Sequence, residues 1–154
     1  AIAGRATAQA TADRIGVRDW SAAHRTGDFQ VTAADYRHGL ANLAAFWAHE
    51  TVEAPIAHGT DEVALALRTD TWSRSYRTKV VTTRPGLAAV RSRHGLAILP
   101  DAEPRAGRYV LPSHPTPAAE IDGSLAAIGK RYGPASARLA RLGLEYEPPR
   151  GAAR

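Results

Sequence analysis

Apolar positions along the chain follow two different periods, and the switch between them divides it. From Ala33 to Glu53 the spacing is helical. Tyr36, Leu40, Leu43 and Trp47 fall at i, i+4, i+7 and i+11, one stripe that Phe46 widens. Thr32 precedes the run as an N-cap, with Asp35 three residues on in the manner of a capping box, and Pro55 and Gly59 end it. From Val63 the period shortens to two. Val63, Leu65 and Leu67 alternate with small residues, and Trp72, Arg74, Tyr76, Thr78 and Val80 alternate with Ser73, Ser75, Arg77, Lys79 and Val81. That pattern, rich in aromatic and β-branched residues, predicts strand. From Ala118 the helical period returns: Leu125, Ile128 and Tyr132 share one face, Gly133-Pro134 breaks the run, and Ala135, Leu139, Leu142 and Tyr146 form a second face.

The remaining stretches are shorter. Residues 1–15 read as a weak helix with a mostly Ala face, and Asp19 to Arg25 as a short helix with Asp19 as N-cap and Gly27 just past its end. Arg84-Pro85-Gly86 and Arg93-His94-Gly95 are turns, with Leu87 to Val90 open between strand and helix. Leu96 to Leu99 and Arg108 to Leu111 read as short strands, and residues 100–107 as a loop. Pro112, Pro115 and Pro117 make a stiff connector. The expected fold is α+β: a helical N-terminus, a short antiparallel β-rich centre and a C-terminal helical hairpin in a single domain over residues 1–147, with 148–154 a disordered tail.

Composition narrows the chemistry. The 154 residues are 44% hydrophobic and 23% charged, ordinary for a globular chain. The absence of Cys excludes disulfides, thiolate catalysis and Cys-based zinc sites. No apolar stretch approaches the ~20 residues of a membrane span, and no signal-peptide core is present, so a cytoplasmic location is expected. The chain opens at Ala1, so a start Met or a longer leader has gone, and the residues are either a whole protein or one excised domain. The net charge of +5 is uneven. Residues 1–67 carry five Arg and eight acids, and residues 68–154 carry fifteen basic residues and seven acids. A basic half points to an anionic partner or to a merely solvated surface.

Two segments give that basic half a candidate role. Ser124 to Gly133 followed by Pro134 to Leu142 resembles a helix-turn-helix DNA-binding unit of the kind that reads promoters in sigma factors. Pro134 stands where an apolar turn residue is usual, and Ala135, Ala137 and Ala140 where base-reading side chains are common. The resemblance implies a second helix in the major groove that displays Ser136, Arg138 and Arg141, with Lys130 and Arg131 on phosphates. Alternatively the hairpin only closes the core. The second segment is Arg68 to Arg84. As a strand, its Trp72, Arg74 and Tyr76 share a face that can stack bases and pair phosphates, with Arg77 and Lys79 opposite. The alternative is that Trp72 and Tyr76 face the core.

Other chemistry is thinner. His49-Glu50 followed by Glu53 and then His58 resembles the metal-binding helix of zincins, with Glu53 in place of the second His. His49, Glu53 and His58 could supply three zinc ligands, with Glu50 as general base. An exposed helix end of mixed charge is the alternative. His38, His94 and His114 stand alone. Glu145-Tyr146-Glu147 resembles the paired-glutamate motif of ADP-ribosyltransferases, and no phosphate-binding Gly loop or nucleophile elbow is present. The leading expectation is a non-enzymatic nucleic-acid-binding domain without cofactor, with DNA ranked ahead of RNA and no membrane partner. A small metal-dependent hydrolase and an assembly subunit, as a homo-oligomer or with a protein partner, are the alternatives.

Overall fold

Asp61 turns the alternating stretch after Gly59 into a helix. In the computed structural model, which describes residues 4–18, 20 and 26–147, its carboxylate accepts from the backbone amides of Val63 and Ala64, both at 3.0 Å. This N-cap starts helix α3, Glu62–Ser73, whose buried side is Leu65, Arg68, Thr71 and Trp72. The strand predicted across Arg68 to Arg84 is therefore corrected to the end of a helix, a turn, and strand β2 over Thr78–Thr83. Alternation of Val63, Leu65 and Leu67 is too short to exclude a helix. The cap and the Ala/Leu content then favour one.

Helix α1 covers Gly4–Ile15, with Ala12 as its buried residue. Helix α2, Ala33–Ala44, begins with the expected capping box: the Thr32 amide donates to the Asp35 carboxylate (2.9 Å), and the Asp35 amide to Thr32 Oγ1 (3.2 Å). It stops at Ala44 rather than Glu53. Ala45 leaves the helical region (φ −79, ψ 53), Phe46–Ala48 form one tight 3-10 turn, and strand β1 runs Glu50–Pro55. The short helix expected at Asp19 to Arg25 and the tail 148–154 lie outside the described residues.

The α+β class holds, and the central pairing differs from the expected antiparallel one. β1 and β2 are parallel, with Val52 opposite Val80 and Glu53 opposite Val81. Parallel neighbours need a crossover, and α3 supplies it. Extended segments continue the sheet on both sides, through parallel bridges of Glu53 with Val110 and of Thr83 with Ala102. Among the described residues only the small hairpin of β3 (Val90–Arg91) and β4 (Ala97–Ile98), turned by Arg93 to Gly95, is antiparallel.

Alternate strand residues face opposite sides. Val52 and Ala54 join Leu65 and Trp72 of α3 and Ile128 of α4 (Pro117–Tyr132) in one core that also holds Val90, Leu111 and Ala140. The other side of the sheet carries Thr51, Glu53, Lys79, Val81 and Thr83, under residues of the 101–108 loop. Helix α4 is capped by Thr116, whose hydroxyl accepts from the Ala119 amide. Gly133 ends it at φ +89, a conformation side chains disfavour, and so lets α5, Pro134–Gly143, fold back on α4.

Candidate functional site

The hairpin's second helix does not present its expected face. Ser136 is fully buried, its hydroxyl 2.9 Å from His38 Nε2 and accepting from Asn42 Nδ2 at 3.2 Å. Arg138 grips Asp35 with two parallel bonds, Nε to Oδ1 at 2.8 Å and a terminal nitrogen to Oδ2 at 3.1 Å. The Arg141 guanidinium lies 5.9 Å from the Phe29 ring centroid. The side of α5 expected in a DNA groove is thus occupied by α2 and its flanking segment. That corrects the assignment of Ser136, Arg138 and Arg141 to base reading.

The basic aromatic segment is also spent internally. Trp72 is fully buried, its ring 5.5 Å from that of Tyr109 and 6.1 Å from that of Tyr132, and no base can stack on it. Arg74 pairs with Asp70 (2.9 Å) and donates to the Gly143 carbonyl at the end of α5 (2.6 Å), where a cation also suits the helix dipole. Arg77 donates to the Ala48 carbonyl and lies over Tyr132. Arg131 pairs with Glu50 and stacks on Tyr109 at 4.3 Å. The carboxylate of Glu50 raises the Arg131 pKa above its ordinary value, and burial raises that of Tyr132. Tyr76 is half-exposed in a left-handed turn at φ 55. Lys79 and Lys130 are exposed.

The proposed metal ligands do not converge. His49 Nε2 lies 2.9 Å from the Asn42 carbonyl. Glu53 is buried in β1, where it accepts from the Arg105 amide (2.9 Å) and faces Arg108 at 3.6 Å. His58 Nδ1 accepts from the Arg91 amide. On a strand, four residues span about 13 Å, so His49 and Glu53 cannot share one ion as they could on a helix. Among the described residues no group of three His, Asp or Glu side chains could hold a metal. His94 pairs with Glu62, and His114 with buried Glu120, both at 3.0 Å. Tyr146, between the paired glutamates, donates to Asp122 at 2.9 Å, and burial raises its pKa.

What the pattern did not reveal is which side of α2 faces inward. Its buried residues are Asp35 and Asn42, with His38 and Gly39 partly covered on the same side, and these meet α5. The apolar stripe points outward: Tyr36 is 67% exposed, Leu40 63%, Leu43 58%, Phe46 75% and Trp47 77%. Phe46 and Trp47 pack edge to face, 5.2 Å apart, at the helix end. The helix carries two stripes, and the sequence held a signal for the polar one. Asp35, His38 and Asn42 stand at i, i+3 and i+7, a spacing that means a face rather than scattered solvent contacts.

The polar face sets a pH dependence. Bonds from Arg138 and Thr32 hold the Asp35 carboxyl well below the usual aspartate range. A depressed folded pKa contributes stability that is complete above the unfolded value of ~3.9 and is lost as pH falls through the folded one. Asp35→Asn is therefore expected to lower the thermal midpoint at neutral pH, with the gap to wild type closing toward about pH 2. Melts followed by circular dichroism at the two pH values check this. An equal gap at both would show that the charge contributes nothing.

No helix among the described residues is long and apolar enough to cross a membrane. Set against known protein families, curated proteins and solved structures, the chain matches none.

Proposed function

We propose that this chain is a non-enzymatic assembly module that joins a second copy of itself through the outer stripe of α2. The outward apolar stripe carries this reading. Aromatic side chains bury ~150–250 Å² each, so Tyr36, Phe46 and Trp47 at their observed exposures display roughly 400 Å². Leu40, Leu43 and Val31, the last 52% exposed, extend it. The sum exceeds the patch an ordinary monomer shows, about 300–600 Å², and approaches the ~800 Å² per partner of a standard interface.

A second copy fits because the stripe is self-complementary. Within α2 the spacings of four and three residues from Tyr36 to Leu40 to Leu43 are those of a helix–helix seam, and Phe46 and Trp47 extend the stripe from the turn that follows. An antiparallel two-fold pairing sets Tyr36 of one copy beside the Phe46–Trp47 pair of the other, with the leucines between them. Arg37 is the one charged residue on the exposed part of α2, and exposed Ala33, Ala41 and Ala44 leave room for close approach. Sedimentation velocity of the full chain across the micromolar range tests this reading. A concentration-dependent dimer is expected, and a monomer throughout would overturn it, leaving a different partner chain as the occupant.

A further inference from the structure

We propose that the helix-free face of the sheet is an oligophosphate-binding groove. A cavity of about 470 Å³ opens there, lined by Thr51 of β1, Lys79 and Val81 of β2, and Asp101, Arg105 and Arg108 of the loop after β4. Its size falls in the range of small-ligand sites.

The groove's charges are uncompensated toward solvent. Among the described residues, Lys79 and the Arg105 side chain have no acidic partner. Asp101, the acid in the lining, is committed to β2, accepting from the Thr82 amide and hydroxyl at 2.8 Å each. Glu53 lies behind the groove, 2% exposed. It accepts from the Arg105 amide at 2.9 Å and faces Arg108 at 3.6 Å. Glu53 therefore anchors the loop that carries both arginines over the sheet through the Arg105 amide and orients the Arg108 guanidinium, while the exposed Arg105 side chain is left unpaired for a ligand. Two planar forks from one loop and one point-charge ammonium from β2, all lining the same groove, suit the oxygens of adjacent phosphates.

No aromatic ring lines the groove, so recognition rests on phosphates and not on a stacked base. The same chemistry occurs in a free oligophosphate and in a nucleic-acid backbone. Nucleic-acid binding, expected from the hairpin and the aromatic segment, is thereby reassigned to Lys79, Arg105 and Arg108. This inference is independent of assembly through α2.

The test uses labelled single-stranded and duplex DNA by fluorescence anisotropy, and inorganic tripolyphosphate by calorimetry, on the full chain. The variants are Lys79→Gln with Arg105→Gln, and Lys130→Gln on the helix layer as control. The double variant is expected to bind about a hundredfold more weakly, and the control as wild type. For DNA, three phosphate contacts give a log–log salt slope of about −3, falling to about −1 in the double variant. Binding of tripolyphosphate but not DNA assigns the site to free oligophosphates, and binding of DNA assigns it to the backbone. Both substituted side chains are exposed, and an unchanged circular dichroism melt confirms the fold. Absence of binding to either probe at low salt, or equal binding by wild type and double variant, would overturn the proposal.

Discussion

Under the proposed assembly, Leu40→Glu combined with Trp47→Ser is expected to leave the chain a monomer at concentrations where the wild type should pair. A Trp side chain buried against an aromatic of the partner is typically worth about 2 kcal/mol or more, about thirtyfold in dissociation constant. A Glu buried without partner in the facing copy adds a charge-desolvation cost. Together they should weaken association by about a thousandfold or more. The monomer's own stability should change little, because both side chains are mostly exposed. Paired sedimentation and thermal melts separate the two effects. If the variant sediments as the wild type does, the stripe is not the interface. If it loses stability as well as association, α2 is held by more than its polar face.

The second large effect belongs to Trp72. It sits in the last turn of α3, the crossover that joins β1 to β2, and its ring is fully buried against Tyr109 and Tyr132. Trp72→Ala should cost about 3–5 kcal/mol, the usual range for a large aromatic truncated in a core. That is a large part of the ~5–15 kcal/mol available to a domain of this size. Trp72→Phe should cost far less, since the indole nitrogen has no hydrogen-bond partner to lose. Urea titration of the three proteins checks the order. The same comparison separates a core residue from a base-stacking one. Trp72→Phe would weaken binding to single strands if the ring met nucleic acid, and here it should leave that binding unchanged.

Local signals were the most readable part of this sequence. The Thr32–Asp35 capping box and the Gly133-Pro134 break are each decided by three or four neighbouring residues, and each stands where the pattern put it, whereas Pro117, read as the end of the connector, is the first residue of α4. Partner choice was not readable. Val63, Leu65 and Leu67 fit a strand or a helix, and only the Asp61 cap and a Trp72 needed in the core decide for the helix. The candidate site failed for a related reason. Arg74, Arg77, Arg131, Arg138 and Arg141 look alike in sequence as free cations, yet each meets a carboxylate, a carbonyl or a ring placed far away along the chain. Lys79 alone among the predicted residues lines the proposed groove, beside Arg105 of an apparent loop and Arg108 at the start of an expected short strand.

The polar seam between α2 and α5 also bears on synthesis. The residues that receive Asp35, His38 and Asn42 are Arg138 and Ser136, about a hundred positions later. At the usual ~5–20 residues per second of translation, α2 waits on the order of ten seconds for its docking partner. Through that interval Tyr36, Leu40, Leu43, Phe46 and Trp47 are outside the ribosome with neither side of the helix engaged. Neighbouring nascent chains on one message, differing in length but both within that interval, would then carry matching stripes, and a chaperone that holds short apolar helices would compete with the twin chain for each of them.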